Sequence, residues 1–315
     1  MKPARTLAGA LAEGSLVLDG GLSDQLRAQG TDLSDELWSA RLLDDGPEQI
    51  EAAHAAYVRA GAQVLITASY QATYEGFARR GVGRDRASRL LADSVALARR
   101  AGAEVARGIW VAASVGPYGA MLADGGEYRG RYGLSVRELE RFHRPRIETL
   151  AAAGPDVLAL ETVPDTDEAE ALLRAARGCG VPVWLSYTVA GDRTRAGQPL
   201  DEAFALAAGE DGVIAVGVNC CDPSDADTSI ALAASTTGKP VVVYPNNGGR
   251  WDEESKGWAG EGRGEGALPP ASPFTTDRLR AWQTSGARLL GGCCSVGPSG
   301  IAEVAALLAA EKDGH

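Results

Sequence analysis

Short apolar runs recur along the chain at Leu16–Leu18, Val64–Ala68, Ile109–Val115, Val157–Leu160, Val181–Tyr187, Val213–Val218, Val241–Tyr244 and Arg288–Leu290. Several are rich in β-branched residues and most lack polar–apolar alternation, the pattern of strands buried on both faces. Between them the apolar period lengthens to that of a helix. Pro47 opens a helix over Glu48–Arg59, with Ile50, Ala53, His54 and Tyr57 on one face and Gly61 just past its end. Ser135-Val136-Arg137-Glu138 is a capping-box signature for a helix to about Ala153, with a kink expected at Pro145. Asp165–Arg177, Leu200–Ala208, Thr276–Ser285 and Ser299–Lys312 repeat the plan. Glycines at 61, 154 and 286 end one helix and turn the chain into the next apolar run.

Eight strand–helix units in 315 residues is the arithmetic of a (β/α)8 TIM barrel, read here as a single domain over residues 1–315. The competing α/β architecture is a doubly wound open sheet. The barrel is preferred because no Gly-x-Gly-x-x-Gly turn follows the first strand and because polar motifs stand at many strand ends. These read Asp19-Gly20-Gly21, Thr67-Ala68-Ser69-Tyr70-Gln71, Ser114-Val115-Gly116-Pro117-Tyr118, Glu161-Thr162-Val163-Pro164, Tyr187-Thr188, Asn219-Cys220-Cys221, Tyr244-Pro245-Asn246-Asn247-Gly248 and Gly291-Gly292-Cys293-Cys294. In a barrel all eight ends share one face, where the βα loops build the active site.

Composition narrows the picture by exclusion. The formal charge is −11 and no Lys/Arg cluster forms a nucleic-acid footprint, while no apolar stretch is long enough to span a bilayer. Neither nucleic acid nor membrane is therefore an expected partner. Lys2 and Arg5 precede a small-residue apolar run, but Glu13 interrupts it and the segment leads directly into a strand, so a cleaved signal peptide is not expected. Five cysteines in a chain this large argue against a disulfide framework and for a reducing, cytoplasmic location.

Four of those cysteines stand in two adjacent pairs that close the sixth and eighth strands. The barrel brings the pairs together from distant sequence. Thiolates are soft ligands, and three of them with one open position suit a catalytic zinc. Adjacent side chains on a regular strand face opposite ways, so Gly291 and Gly292 are expected to permit the irregular backbone that turns both Cys293 and Cys294 inward. At the other pair either Cys220 or Cys221 supplies the third thiolate and its neighbour packs; the alternative is four inert core cysteines. Cys179, in the turn before the fifth strand on the opposite rim, reads as structural. A thiol substrate in the open position would be held as thiolate at neutral pH, which suits alkyl transfer to sulfur.

Asp19-Gly20-Gly21, Glu161-Thr162-Val163-Pro164, Gly217-Val218-Asn219-Cys220 and Gly291-Gly292-Cys293-Cys294 together resemble the zinc-dependent homocysteine S-methyltransferase family, over about residues 15 to 310. Thr67–Gln71 and Tyr244-Pro245-Asn246 are similar to the branch that uses S-methylmethionine or S-adenosylmethionine. The resemblance implies a (β/α)8 barrel, Zn(2+) held by Cys220, Cys293 and Cys294, and Cys221 outside the ligand set. It also implies L-homocysteine as acceptor, with Asp19 and Glu161 near its amino-acid end and Gly20 and Gly21 allowing close approach. The chemistry agrees, since a carboxylate accepts hydrogen bonds from an ammonium group. The methyl group would pass by direct displacement from a sulfonium donor to the homocysteine thiolate.

A sulfonium favours aromatic faces, so Tyr70, Tyr118 and Tyr244 are candidates for the donor pocket, with Gln71 and Asn246 beside them as substrate-binding residues. The glycine-rich stretch Gly248–Pro270, with Trp251 and Trp258, reads as a long loop on the active face and a candidate lid. Two other functions fit the thiols: a homocysteine-activating module working with a separate cobalamin partner, or a non-enzymatic thiolate metal-binding protein. Betaine as donor goes with additional C-terminal sequence that this chain does not show.

Overall fold

The computed structural model describes residues 2–35, 37–103, 105, 108–248, 250–252, 257–262 and 272–313. Its sheet contains β1 (Leu16–Val17), β2 (Val64–Ile66), β3 (Trp110–Val115), β4 (Val157–Val163), β5 (Val183–Tyr187), β6 (Val213–Asn219), β7 (Val241–Tyr244) and β8 (Ala287–Leu290). The strands are parallel and pair in chain order, with β8 beside β1. A parallel bridge between Leu18 and Val64 joins β1 to β2, fastened by Asp19 N–H to the Val64 carbonyl at 3.1 Å and Gln63 N–H to the Val17 carbonyl at 2.8 Å. The expected eight-stranded barrel is the fold.

Two apolar layers explain why these strands lack alternation. Leu16, Leu18, Val64, Trp110, Ala112, Val157, Ala159, Trp184, Ala215, Val242, Tyr244 and Leu289 fill the barrel interior. The intervening residues, among them Leu65, Val111, Leu158, Leu185, Val216 and Val243, face the surrounding helices. Each strand is thus apolar on both sides. The helix Leu7–Glu13, capped by Thr6, packs Leu7, Ala10 and Leu11 into the interior layer at the strands' N-terminal end. The other end is left for polar residues.

The helices expected from the sequence stand at Pro47–Arg59, Val136–Ala152, Thr166–Ala176, Leu200–Ala208, Thr276–Thr284 and Pro298–Asp313. Ser135 and Glu138 form the reciprocal capping box, and the helix they open continues through Pro145. Arg84–Ala101 and Pro223–Thr237 supply further crossovers to which the sequence reading gave no range. Where a loop was expected after β7, Arg250–Asp252 pairs antiparallel with Gly257–Gly262. The rest of the candidate lid, 249, 253–256 and 263–270, lies outside the described residues. Among the described residues, no helix is long and apolar enough to cross a membrane.

Candidate metal centre and substrate cavity

At the C-terminal end of β6 the chain changes hand. Asn219 is fully buried, and its amide reaches across to β4 and β5. Its Oδ1 accepts from Thr162 N–H and from the Ser186 hydroxyl, both at 2.8 Å, while its Nδ2 donates to Thr162 Oγ1 at 2.7 Å. Thr162 and Cys220 both adopt left-handed backbone, with φ of 57° and 49°. Non-glycine residues rarely do so, and such strain persists only where the surroundings over-determine it. Here the Asn219 amide holds Thr162, and Cys220 N–H donates to the Tyr244 carbonyl at 3.1 Å. The reversal at Cys220 separates the adjacent thiols. Cys220 joins the cavity wall, whereas Cys221 is fully buried in the outer core beside the helices.

Past β8 the glycines act through space rather than through backbone freedom. Gly291 and Gly292 do not have positive φ; the left-handed residue of this loop is Ser295, at 61°. A Cβ on Gly291 would lie 2.5 Å from the Asp19 carbonyl oxygen, and one on Gly292 would lie 2.2 Å from Val296 Cγ1. The loop is therefore seated directly on β1. Cys293 N–H donates to the Pro245 carbonyl at 2.8 Å, Cys294 N–H to Asn246 Oδ1 at 3.0 Å, and Ser295 N–H to Asp24 Oδ2 at 2.7 Å. Neighbouring strand ends thus pin both sulfurs.

Cys220, Cys293 and Cys294 offer sulfur atoms that all lie within 4.8 Å of one another. Cys220 Sγ is 3.6 Å from Cys294 Sγ, which is 4.0 Å from Cys293 Sγ. Zinc–sulfur bonds of about 2.3 Å at tetrahedral angles require sulfur pairs roughly 3.8 Å apart, so the donor set fits a soft divalent ion. Coupling sets the order of proton loss. Hydrogen bonds from Cys293, Cys294 and the Tyr128 hydroxyl draw the Cys220 thiol well below its usual range, and that same coupling drives Cys293 and Cys294 up. A bound cation would favour the thiolate of all three.

The sulfurs stand on the wall of a cavity of about 450 Å³. Gly20, Gly21, Tyr70, Gln71, Glu161 and Tyr244, all from strand-end motifs, also line it. Glu161 is buried: the Ser114 hydroxyl donates to its Oε1, and the Tyr244 hydroxyl to its Oε2 at 3.0 Å. Burial pushes its carboxyl up to about 7 against those two bonds. Asp19 accepts from Ile66 N–H through Oδ2 at 2.9 Å, leaving Oδ1 buried without a partner among the described residues. Burial drives its carboxyl well above the usual range against the Ile66 bond, and the charge of Glu161 adds to the rise.

Asp19, Tyr118 and Asn246 do not themselves line the cavity. Asn246 is fully buried as the support of Cys294 N–H. Pro117 caps a helix over Tyr118–Leu122, which directs the Tyr118 ring against Phe142 and Tyr132, at centroid distances of 4.8 and 5.2 Å. Cys179, as expected, stays at the opposite rim, its thiol donating to the Val181 carbonyl at 3.4 Å.

Sequence reasoning missed Glu127 and Tyr128. Both line the cavity from the loop after β3, and the Tyr128 hydroxyl lies 3.2 Å from Cys220 Sγ. Their signal was the turn Asp124-Gly125-Gly126 just before them, beyond the strand-end window.

Comparison with known proteins agrees with this architecture. A model of the family described as homocysteine S-methyltransferase matches residues 16–308. A homocysteine S-methyltransferase of Escherichia coli (strain K12) is 43% identical over 299 residues, covering 92% of this chain and 94% of its own. Homocysteine S-methyltransferase YbgG of Bacillus subtilis (strain 168) is 40% identical over 306 residues, covering 92% and 93%. The crystal structure of the E. coli homocysteine methyltransferase MmuM in its metallated form superposes with a TM-score of 0.82 at 40% identity, covering 95% of this chain and 98% of that one. With a closed barrel, three converging thiols and likeness along nearly its whole length, the chain belongs to the homocysteine S-methyltransferase family.

Proposed function

We propose that this protein transfers a methyl group from a sulfonium donor, S-methylmethionine or S-adenosylmethionine, to the sulfur of L-homocysteine, giving methionine. The observation that carries the reading is the cluster of Cys220, Cys293 and Cys294 on the wall of the cavity. These three residues would hold zinc, which supplies the Lewis acidity that keeps a substrate thiol ionised at neutral pH. Asp19 and Glu161 would receive the homocysteine ammonium group. Burial pushes both carboxyls upward, which favours their neutral form. An arriving cation reverses that balance and draws them into the ionised form.

The reaction balances without a redox partner. The homocysteine thiol loses its proton to solvent, and its sulfur forms a bond to the donor methyl carbon as the donor carbon–sulfur bond breaks. The breaking bond's electron pair returns to the donor sulfur, so a sulfonium cation and a thiolate become two neutral thioethers. Such a step asks the protein for alignment and water exclusion rather than acid–base chemistry. Tyr70 presents an aromatic face, and Arg27, ion-paired with Asp24 at 3.6 Å, is the only basic side chain among the described cavity residues. A lining this poor in cations suits a sulfonium. Free thiols at the centre suit a reducing cytoplasm, and residues 1–315 form one homocysteine-binding domain in this reading.

The test is methionine formation by metal-replete protein given homocysteine and each donor in turn. No methionine from either sulfonium donor would refute the assignment. Turnover only with a methylcobalamin-loaded partner would favour the activating module, and metal binding without turnover the metal-binding protein.

A further inference from the structure

The cavity holds a carboxylate that homocysteine recognition and metal binding leave unused. Glu127 is 8% exposed and lines the cavity. Its Oε2 is buried with no hydrogen-bond partner among the described residues. A carboxylate oxygen stripped of water and left unbonded is costly unless a ligand donates to it. Burial pushes this carboxyl up to about 7, with the nearby charge of Cys220 adding to the rise.

The loop that carries Glu127 is braced. Gly126 N–H donates to Asp124 Oδ1 at 2.9 Å, and Tyr128 N–H to the Gly125 carbonyl at 3.0 Å. The helix Tyr118–Leu122 presses on the turn so closely that a Cβ at Gly119 would lie 2.3 Å from Glu127 N. That helix is tied at its start by Tyr118 N–H donating to the buried Glu168. One residue beyond Glu127, the Tyr128 hydroxyl lies 3.2 Å from Cys220 Sγ, so the loop that carries the carboxylate reaches the thiol cluster. Glu161, by contrast, has both oxygens bonded. The anionic acceptors therefore divide into one group from β1 and β4 and a separate one from the β3 loop.

We infer that Glu127 receives the α-ammonium group of the methyl donor, so that this site selects sulfonium donors that are also amino acids. The inference rests on the proposed methyl transfer. A sulfonium centre has no N–H or O–H to offer, whereas Oε2 lacks a hydrogen-bond donor; an ammonium group supplies both that donor and the countercharge. Tyr70 lines the same cavity and is the aromatic candidate for the sulfonium end, whereas the Tyr128 ring carries the Arg195 guanidinium 5.9 Å from its centroid. The acceptor amino acid then uses Asp19 and Glu161, and the donor amino acid uses Glu127.

The test compares S-methylmethionine with its des-amino analogue, 4-(dimethylsulfonio)butyrate, using metal-replete wild type, Glu127→Gln and Glu127→Asp. In the wild type the amino-bearing donor should be preferred in kcat/KM by ~10- to 100-fold, the range for a hydrogen bond to a charged group. Glu127→Gln should lose most of that preference through a higher KM for S-methylmethionine, with homocysteine KM and metal content unchanged. Glu127→Asp, which keeps the charge, should retain part of it. Undiminished preference in Glu127→Gln, or a rise in homocysteine KM instead, overturns the Glu127 assignment while methyl transfer stands. A wild type that turns over neither donor overturns the methyl transfer and the inference together.

Discussion

Asn219→Ala tests whether the site is held by the strands around it rather than by the metal. The substitution deletes three buried hydrogen bonds, one from Thr162 N–H, one to Thr162 Oγ1 and one from Ser186. The Ser186 hydroxyl retains Tyr244, 2.8 Å away, and the Thr162 hydroxyl is free to rotate, so each of those losses should cost about 1 kcal/mol. Thr162 N–H has no such recourse, and an orphaned buried donor costs roughly 1–3 kcal/mol. The expected loss is ~3–5 kcal/mol, a large share of the roughly 5–15 kcal/mol that holds a domain together. Urea unfolding of the metal-free protein measures it without the stabilisation that bound metal adds. A zinc competition titration should then show affinity down by about 10- to 100-fold, as when a support of a ligand is removed. Asn219→Asp keeps the acceptor to Thr162 N–H and should fall between Asn219→Ala and wild type. A variant Asn219→Ala within 1 kcal/mol of wild type, with unchanged zinc affinity, would refute the claim that this amide sets the backbone at Thr162 and Cys220.

Cys220→Ser, Cys293→Ser and Cys294→Ser should each lose bound zinc on metal analysis, whereas Cys221→Ser should keep it; the reverse result at 220 and 221 would show the ligand misassigned. Glu161→Gln should raise homocysteine KM by ~10- to 100-fold. Its wild-type carboxyl titrates at about 7 and must be ionised to hold an ammonium, so kcat/KM for homocysteine should fall below that pH in wild type and lose that limb in the variant. His54 is fully buried with both ring nitrogens unbonded among the described residues, and burial pushes it down to about 4. Below its unfolded value near 6.5 the unfolded chain binds a proton that the native ring does not, so stability should drop as pH falls from 6.5 to about 4, by at most ~3 kcal/mol. His54→Leu should flatten that slope by one proton in urea titrations across the interval, and an unchanged slope would refute the buried neutral ring.

The barrel was legible because each strand is a short apolar run filled on both faces, with a helix-ending glycine ahead of several of them. Interior and exterior layers put apolar residues at most strand positions, and most of the polar ones, such as Ser114, Glu161, Thr162, Ser186 and Asn219, gather toward the C-terminal ends. Two crossover helices were harder to range. Arg84–Ala101 buries a stripe of Ala87, Leu90, Leu91, Val95, Leu97 and Ala98 beneath an arginine-rich surface. Pro223–Thr237 is rich in Ser, Thr and Asp, so its best signal is the Asp222 cap followed by Pro223. The substrate cavity was legible only as far as its residues sit at strand ends. Glu127 and Tyr128 enter from further along a loop, and Tyr118 leaves because a helix begins at its position.

Which cysteine of the first pair faces the cavity was beyond any argument from strand alternation, because the strand has already ended where the choice is made. Left-handed residues follow the same logic at three strand ends: Thr162 at β4, Cys220 after β6 and Ser295 after β8. Each costs roughly 1–3 kcal/mol relative to relaxed backbone. Each is fastened by a group from elsewhere in the chain: the Asn219 amide, the Tyr244 carbonyl and the carboxylate of Asp24 in the helix Leu22–Ala28. No single strand could hold the sulfurs alone, since every strained residue depends on a partner distant in sequence that only barrel closure brings into place. The cost of preorganising the thiols is thereby spread over the whole rim, and the closed barrel keeps them together before any metal arrives.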